Sequence, residues 1–254
     1  MSARRRTAPL PVTALHGESG STQDVQIYYQ VFDAILAQRL LPGTKLTEDE
    51  LADIFAVSRA VVRRALLRLS HDNIVEIRPN RGAVVASPSV GEAREILEAR
   101  LLIECALVRQ VTTCIEPVQL EQLYALIDDE QQCFESGQSG SGIRLSGDFH
   151  LRLAQISGNT TLTRFIKQLV PRTSLIIAQY EKKGHALCSH QEHRQIVEVI
   201  ATGDADSAEQ RMREHLQRVE AKLNLDDEPV TTDLRQVFSH VIANRQPPLS
   251  NSRS

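Results

Sequence analysis

Cysteine is scarce in this sequence of 254 residues, and its four cysteines form no C-x-x-C pair. We expect no secretory signal, because the arginines at positions 4–6 are followed by proline and polar residues instead of an apolar core. We therefore predict reduced core thiols and no disulfide framework. The four positions are Cys105, Cys114, Cys133 and Cys188.

The sequence also lacks any apolar run close to the roughly 20 residues that cross a bilayer. We therefore expect no membrane partner and a cytoplasmic location. Three catalytic patterns are missing as well, namely HExxH, the G-x-S-x-G nucleophile elbow and a glycine-rich phosphate loop. Their absence argues against an enzyme, while 41% hydrophobic residues predict one or two globular domains.

Two capping residues divide positions 47–69 into two short helices. Thr47 and Glu50 form a capping-box pattern that predicts a first helix, and Ser58 is the predicted N-cap of a second helix from Arg59 to Leu69. The second helix is apolar on one side and basic on the other. Such a pair of helices is the arrangement that lays a recognition helix into the DNA major groove. The basic residues are Arg59, Arg63, Arg64 and Arg68.

A hairpin is predicted directly after these helices. Positions 74–78 and 83–86 alternate like strands, and the turn residues between them place Arg81 at the tip, where it can reach phosphate or the minor groove.

The whole chain carries a net charge of −3, but positions 58–81 hold six arginines against two acidic residues, a local net of +4. The alternative, an arginine-rich face that is only solvated, does not explain why caps, turn and hairpin agree.

These segments resemble the DNA-binding signature of the GntR family of bacterial transcription regulators. The resemblance rests on Val57-Ser58-Arg59, on positions 62–66 and on positions 79–83, although Arg64 stands where the family usually has glutamate. It implies a winged helix-turn-helix that binds a pseudopalindromic double-stranded operator as a homodimer, in a bacterial protein associated with the nucleoid. The implied DNA contacts are Ser58, Arg59, Arg63, Arg64, Arg81 and Gly82.

The remainder of the chain is helical in pattern up to about position 225. Two apolar stripes at helical spacing precede a Gly/Ser-rich break at Ser136 to Gly142, and further helices are predicted at about 144–157, 160–183, 189–202 and 204–224. The first stripe is Ile96, Ala99, Ile103 and Leu107, and the second is Leu120, Leu123, Ile127 and, less cleanly, Gln131. The expected fold is mainly α, with an N-terminal winged helix-turn-helix and a C-terminal antiparallel all-helical bundle. The predicted divisions are a flexible arm at 1–22, the winged domain at 23–87, the helical domain at 88–225 and a tail at 226–254.

Three histidines lie on apolar stripes of three different predicted helices: His150, His193 and His215. A single inward histidine is more often a hydrogen-bonded core residue than a ligand. Three on separate helices favour a metal site, because neutral imidazole nitrogens that converge on one point bind a metal ion. Three nitrogens leave coordination positions open for water or for the oxygens of a ligand.

The same region resembles the FCD domain, the all-helical effector domain of FadR-type GntR regulators, through motifs such as Asp148-Phe149-His150 and Glu192-His193-Arg194. The resemblance implies a divalent metal, zinc first and nickel or manganese as alternatives, held by three histidines and an aspartate. Ser146 stands at the position of that aspartate, and Asp148 lies about 200° around the helix from His150. A site of three histidines is therefore expected, with Ser146, water or His190 as a further contributor.

Three further residues are candidates for binding an effector. Arg100 can clamp a carboxylate or only pair with Glu104, Arg172 can receive an anion, and Asn159 can bind a ligand or only cap a helix. The predicted function is a transcription regulator, as a repressor, whose operator affinity depends on a small carboxylate bound beside the metal. The alternatives are a regulator that senses the metal itself and a zinc-dependent hydrolase.

Overall fold

The computed structural model describes residues 22–78, 82–181 and 189–224. The predicted arm up to residue 21, the wing tip with Arg81, the region of Cys188 and the tail after 224 lie outside these residues. The described residues of the N-terminal part form three helices and three strands. They are α1 (Thr22–Leu36), β1 (Lys45–Leu46), α2 (Glu48–Phe55), α3 (Arg59–His71), β2 (Val75–Arg78) and β3 (Gly82–Val85).

Local capping explains where α2 and α3 begin. The Thr47 hydroxyl accepts a hydrogen bond from the Glu50 backbone N–H, and Ala56 ends α2 in the left-handed conformation at φ +55°. Ser58 occupies the N-cap position of α3, although its side chain makes no capping hydrogen bond. The apolar side of α3 is buried as the sequence predicts. Its buried residues are Val62, Ala65, Leu66 and Leu69.

The wing is a three-stranded antiparallel sheet in the order β1-β3-β2. Gly82 begins β3 with φ +77°, and a Cβ added there would lie 2.5 Å from the Leu46 carbonyl oxygen of β1. Any other residue would strain this backbone and collide with β1. Gly82 therefore has a structural reason to be glycine, and its predicted contact with DNA stays a prediction.

Six helices form the C-terminal bundle and confirm the predicted mainly α class. They are α4 (Val90–Cys114), α5 (Pro117–Glu135), α6 (Ser139–Ile156), α7 (Thr160–Tyr180), α8 (His190–Thr202) and α9 (Ala205–Ala221). Their apolar faces enclose one large core around Phe149. No helix among the described residues is long and apolar enough to span a membrane. Cys105, Cys114 and Cys133 are free thiols, but Cys114 is exposed, so its assignment to the core was wrong.

The predicted Gly/Ser-rich break at Ser136 to Gly142 is wrong in its second half, because α6 begins at Ser139. Gly140 and Gly142 are buried in the first turn of this helix. A Cβ at Gly140 would lie 2.1 Å from the Asp33 carbonyl oxygen in α1, and one at Gly142 would lie 2.9 Å from the Phe134 ring. The glycines allow α6 to approach α1 and the end of α5, so they mark a close contact between helices and not a loop.

Gly140→Ala is expected to destabilise the protein by roughly 1–3 kcal/mol, the usual cost of overpacking a filled site. The reason is that the new methyl group meets backbone atoms of α1, which cannot rotate away. Chemical denaturation followed by circular dichroism measures the change. Gly91→Ala is the matched control, because that helical glycine is exposed and a methyl group there meets only open space and the Ser89 hydroxyl at 3.9 Å. Equal stability of the Gly140→Ala variant and wild type would contradict this packing.

Candidate functional site

The three predicted histidines meet in the core of the bundle. His150 on α6, His193 on α8 and His215 on α9 are all buried, and their potential ligand atoms lie within 4.8 Å of one another. The Nε2 atoms of His150 and His215 are 3.3 Å apart. Nε2 of His193 has no hydrogen-bond partner in the described part of the chain. A buried polar atom without a partner is costly, which points to a group that completes this site.

A carboxylate holds the other nitrogen of each ring. Nδ1 of His150 lies 2.5 Å from Glu104, Nδ1 of His193 lies 2.8 Å from Glu130, and Nδ1 of His215 lies 2.7 Å from Glu192. Because a carboxylate only accepts hydrogen bonds, each Nδ1 carries a proton, and Nε2 is the nitrogen that offers a lone pair when the ring is neutral. This carboxylate–histidine arrangement is the one that orients imidazole toward a bound metal.

The charge states of the site suit a cation. Burial lowers the pKa of His150 to about 3 and the pKa of His215 to about 4, so both rings are neutral at pH 7. Burial raises the pKa of Glu130, but the contacts with His193 and Ser189 bring it below its ordinary value. Neutral imidazoles backed by ionised carboxylates form a donor set that fits a divalent metal such as zinc.

The further metal candidates lie in different places. Ser146 is near the histidines, with its hydroxyl oxygen 2.9 Å from that of Ser189. His190 is the half-buried first residue of α8 and is not part of the three-histidine cluster. Asp148 is turned away, as its position on the helix predicts, and forms an ion pair with Arg144 at 3.5 Å. Burial raises the pKa of Asp148 to about 7.

A small cavity adjoins the histidines, with a volume of about 20 Å³, which is room for about one water molecule. Arg100 lines this cavity and donates from Nε to Glu104 at 2.5 Å, while its buried Nη2 has no partner among the described residues. The predicted pair between Arg100 and Glu104 is therefore present, and Nη2 of Arg100 is a buried donor without an acceptor in the described residues. The cavity is lined by Arg100, Ser146, His150, Ser174, Ser189 and His215, with apolar residues around them.

The structure does not bring the other two effector candidates to this cavity. Arg172 is 3.7 Å from Glu92 at the beginning of α4. The side chain of Asn159 accepts a hydrogen bond from the Leu162 backbone N–H and caps α7. Asn159 therefore has the capping role that the sequence left open beside ligand binding.

Sequence reasoning missed Glu130 and Ser189. The α5 stripe of Leu123 and Ile127 was extended to Gln131, but the buried residue at the next turn is Glu130. A carboxylate three positions after Ile127 on an apolar stripe was the available signal. No sequence pattern marks Ser189, because it lies before the first residue of α8 and so belongs to no apolar stripe.

Three of the predicted DNA-contacting side chains, those of Arg59, Arg63 and Arg64, lie on the exposed face of α3. Arg59 and Arg63 are exposed, and each pairs with an acidic residue of α2: Arg59 with Asp49, and Arg63 with both oxygens of Glu48 at 2.8 and 2.7 Å. Arg64 is partly exposed and lies 3.6 Å from Asp24 of α1. These three arginines of α3 are therefore each close to a carboxylate of the chain itself.

Glu130→Gln is expected to weaken zinc binding by about 10- to 100-fold, the usual cost of losing a carboxylate behind a ligating histidine. Glutamine fills the same volume but leaves the Nδ1–H of His193 without its charged acceptor. Competition with a chromogenic chelator measures the affinity. Glu121→Gln is the control, since Glu121 is exposed on the same helix. Wild-type zinc affinity in the Glu130→Gln variant would show that this contact does not prepare His193.

Two family models match different parts of the chain. Residues 23–85 match the description "Bacterial regulatory proteins, gntR family", and residues 95–218 match the FCD domain. The chain is 29% identical over 197 residues to the HTH-type transcriptional repressor RspR of Escherichia coli strain K12, covering 76% of this chain and 86% of that protein.

Other relatives are also transcription regulators and not enzymes. The chain is 31% identical over 129 residues to an HTH-type transcriptional regulator in the TAR-I ttuE-ttuC′ intergenic region of Agrobacterium vitis, covering 50% of this chain and 75% of that protein. It shares 29% identity over 212 residues with the repressor NanR of Enterobacter sp. strain 638, covering 74% and 80% of the two chains. The solved structure of E. coli McbR/YncC has the same fold, with a TM-score of 0.66, 21% identity and coverage of 80% and 97%.

Proposed function

Since this chain belongs to the GntR family of bacterial regulatory proteins and carries an FCD domain, it is a DNA-binding transcription regulator, and we propose that a metal-dependent carboxylate site controls its operator binding. We further propose that it acts as a repressor, as the names of RspR and NanR say of those proteins. The observation that carries the proposal is the buried cluster of three carboxylate-anchored histidines beside Arg100, whose Nη2 has no partner among the residues that the structure describes.

In this proposal residues 23–87 bind DNA and residues 88–225 bind the effector and a second copy of the chain. Arg59 and Arg63 read base edges in the major groove, since both are exposed on α3 and one turn apart. Ser58, Arg64, Arg81 and Gly82 contact the sugar-phosphate backbone or the adjacent groove. A homodimer places two such helices on a pseudopalindrome, on nucleoid DNA in the cytoplasm.

His150, His193 and His215 would hold the metal through Nε2, because their Nδ1 atoms are occupied by carboxylates. Zinc suits three imidazoles best, and nickel or manganese are the alternatives. When bound, the metal supplies a Lewis-acid position for an oxygen of the ligand. Arg100 supplies the complementary cation for a carboxylate, since it lines the cavity and its buried Nη2 has no partner within the described ranges.

Ligand binding can reach the DNA-binding domain through α6. This helix carries Ser146 and His150 at the cavity, and its N-terminal turns contact Asp33 of α1 through Ser141 at 2.8 Å and Arg144 at 2.7 Å. A cavity of about 20 Å³ does not hold an organic acid, so binding must displace the surrounding helices. A displacement that favours one arrangement of the winged domains by about 1–3 kcal/mol changes operator affinity by about 5- to 150-fold.

The test is operator release by titration. Operator duplexes are selected from a random library with the wild-type protein, and fluorescence anisotropy then follows binding of metal-free and zinc-loaded protein in the presence of carboxylates, amino acids and neutral heterocycles. We expect carboxylates to change operator affinity only when zinc is bound. A change with zinc alone would favour the direct metal sensor, and no change under any condition would contradict control through this site.

A further inference from the structure

We propose that the protein binds a small phosphate monoester in a cleft between the winged domain and the helical bundle, at a site separate from the three histidines. The cleft has a volume of about 400 Å³, which is within the range of small-molecule sites. Its walls come from α1 and α3 on one side and from α7 on the other. The lining includes Tyr28, Leu67, Arg68 and Asp72 from the winged domain and Arg164 and Lys167 from α7.

The α7 wall carries two positive charges without a counterion in the described part of the chain. Arg164 is exposed and Lys167 is half-buried, and neither side chain forms an ion pair within the described ranges. The two residues are three positions apart, so they lie on one face of α7. They also line a second cavity of about 350 Å³ near Gly158 and Thr160, at the beginning of the same helix. Cations that share a concave surface raise the local concentration of anions.

The opposite wall adds a third cation, which is held in position. Arg68 lies 3.8 Å from the buried carboxylate of Asp24, and its guanidinium group lies 5.6 Å from the centre of the Tyr28 ring. Asp24 is also 3.6 Å from Arg64, so this one carboxylate faces two arginines. Asp24 therefore offsets only part of the positive charge on this side of the cleft.

The acidic residue that lines the cleft is engaged with other groups. Asp72 accepts a hydrogen bond from the Tyr28 hydroxyl at 2.6 Å, and its second oxygen lies 3.5 Å from Nδ1 of His71. Among the described residues that line the cleft, three side chains of lysine or arginine stand against Asp72, a net charge of +2 with His71 neutral. The cleft is therefore positive and concave.

A phosphate monoester matches this arrangement better than a carboxylate does. It carries about 1.5 to 2 negative charges at pH 7 and has three acceptor oxygens, so it can meet Arg68, Arg164 and Lys167 together. Cations on the two walls repel one another, and an anion between them replaces that repulsion with attraction. The remaining volume and the exposed side chain of Leu67 leave room and an apolar contact for the organic part of the ester.

A phosphate of the DNA backbone is the other possible source of this charge. Helix-turn-helix proteins place the N-terminal residues of the recognition helix on the bases. In α3 those residues are Arg59 and Arg63, whereas His71, at the cleft, is the last residue of the helix, about 18 Å further along its axis. The end of α3 that lines the cleft therefore points away from the bases, and the second wall on α7 favours a small molecule.

The experiment compares phosphate esters with their parent alcohols. Isothermal titration calorimetry measures the binding of adenosine monophosphate against adenosine and of glycerol 3-phosphate against glycerol, with inorganic phosphate as a third probe, to metal-free protein without DNA at constant ionic strength. We expect at least one ester to bind about tenfold or more tightly than its alcohol, the effect of a charge-assisted hydrogen bond. The double variant Arg164→Gln/Lys167→Gln should lower the affinity for that ester by about tenfold or more.

Matched variants test the charge and the contribution of each wall. Arg94→Gln removes one exposed charge from α4 and should keep the wild-type affinity, and Lys167→Arg should keep it because the charge remains. Arg68→Gln should weaken the ester as well, since the proposed phosphate contacts both walls. Asp24 keeps Arg64 as a partner in that variant, and circular dichroism checks that it folds. Wild-type affinity in a folded Arg68→Gln variant would overturn a site that joins the two domains.

Other outcomes distinguish this proposal from its alternatives and from the proposed carboxylate control. Esters that bind no better than their alcohols would overturn it. If they do not bind but the double variant weakens operator binding, α7 contacts the DNA backbone instead. Ester binding that requires zinc, or that is lost in His193→Ala, would place the phosphate at the histidines. Binding that persists in His193→Ala supports a separate site, even if carboxylates fail to control operator affinity.

Discussion

Replacing His193 with alanine is expected to reduce the metal content of the protein to background and to lower metal affinity by more than about 100-fold, since losing only a supporting carboxylate already costs about 10- to 100-fold. His193 is completely buried, stacks on Phe149 and holds an Nε2 atom that has no partner in the described ranges. Two remaining nitrogens from α6 and α9 cannot enclose the ion. Inductively coupled plasma mass spectrometry after zinc loading and desalting measures the content.

A stability measurement separates metal loss from general damage to the core. Zinc at about 100 times its dissociation constant should stabilise the wild-type protein by about 2.7 kcal/mol, and the His193→Ala variant should show no such increase. His190→Ala is the control, because His190 lies one helical turn earlier on α8 but outside the cluster. It should retain metal. Full metal content in His193→Ala, or equal loss in His190→Ala, would show that the ligands were assigned incorrectly.

Arg63→Ala is the second change with a large expected effect. It should weaken binding to the selected operator by about 5- to 150-fold, the value of one bidentate contact to guanine, and should affect random-sequence DNA much less. Arg59→Ala should behave in the same way, because both side chains are exposed on one face of α3. Fluorescence anisotropy with the operator duplex and with a random-sequence duplex measures the loss of affinity on each, and the ratio of the two losses reports base recognition. Arg94→Ala, which removes the same charge from an exposed position of α4, is the control.

The acidic partner of Arg63 gives an independent check. Glu48 accepts from both Nε and Nη2 of Arg63, so DNA must displace a bidentate ion pair before this arginine can read a base. Glu48→Gln should therefore raise affinity for random-sequence DNA by about two- to fivefold, the range for one exposed ion pair. If Arg63→Ala lowers the affinity for both duplexes equally, Arg63 does not read bases. If Glu48→Gln leaves the affinity for random-sequence DNA unchanged, the ion pair between Glu48 and Arg63 does not compete with DNA.

Most of the helices follow from the sequence, because their signals are local. Thr47 and Ser58 stand where α2 and α3 begin, and the arginines of α3 follow the helical period that exposes them. The three histidines were expected to converge because each lies on an apolar stripe, and such a stripe turns inward in any helical bundle. The family resemblance added dimerisation and repression that a ligand relieves, which periodicity alone does not reveal.

The tertiary structure decided what depends on residues that are distant in the chain. Glu130 and His193 are 63 positions apart in the sequence. Gly140 is also distant in the sequence from Asp33 of α1, whose backbone leaves no room for a side chain at position 140. A local sequence pattern does not predict such contacts, because a hydrogen bond or a close contact between two helices depends on how the helices pack. The sequence alone therefore determined the two-part helical organisation, the basic face and the inward histidines. Packing decided which carboxylate orients each histidine, and it left Nη2 of Arg100 without an acceptor in the described part of the chain.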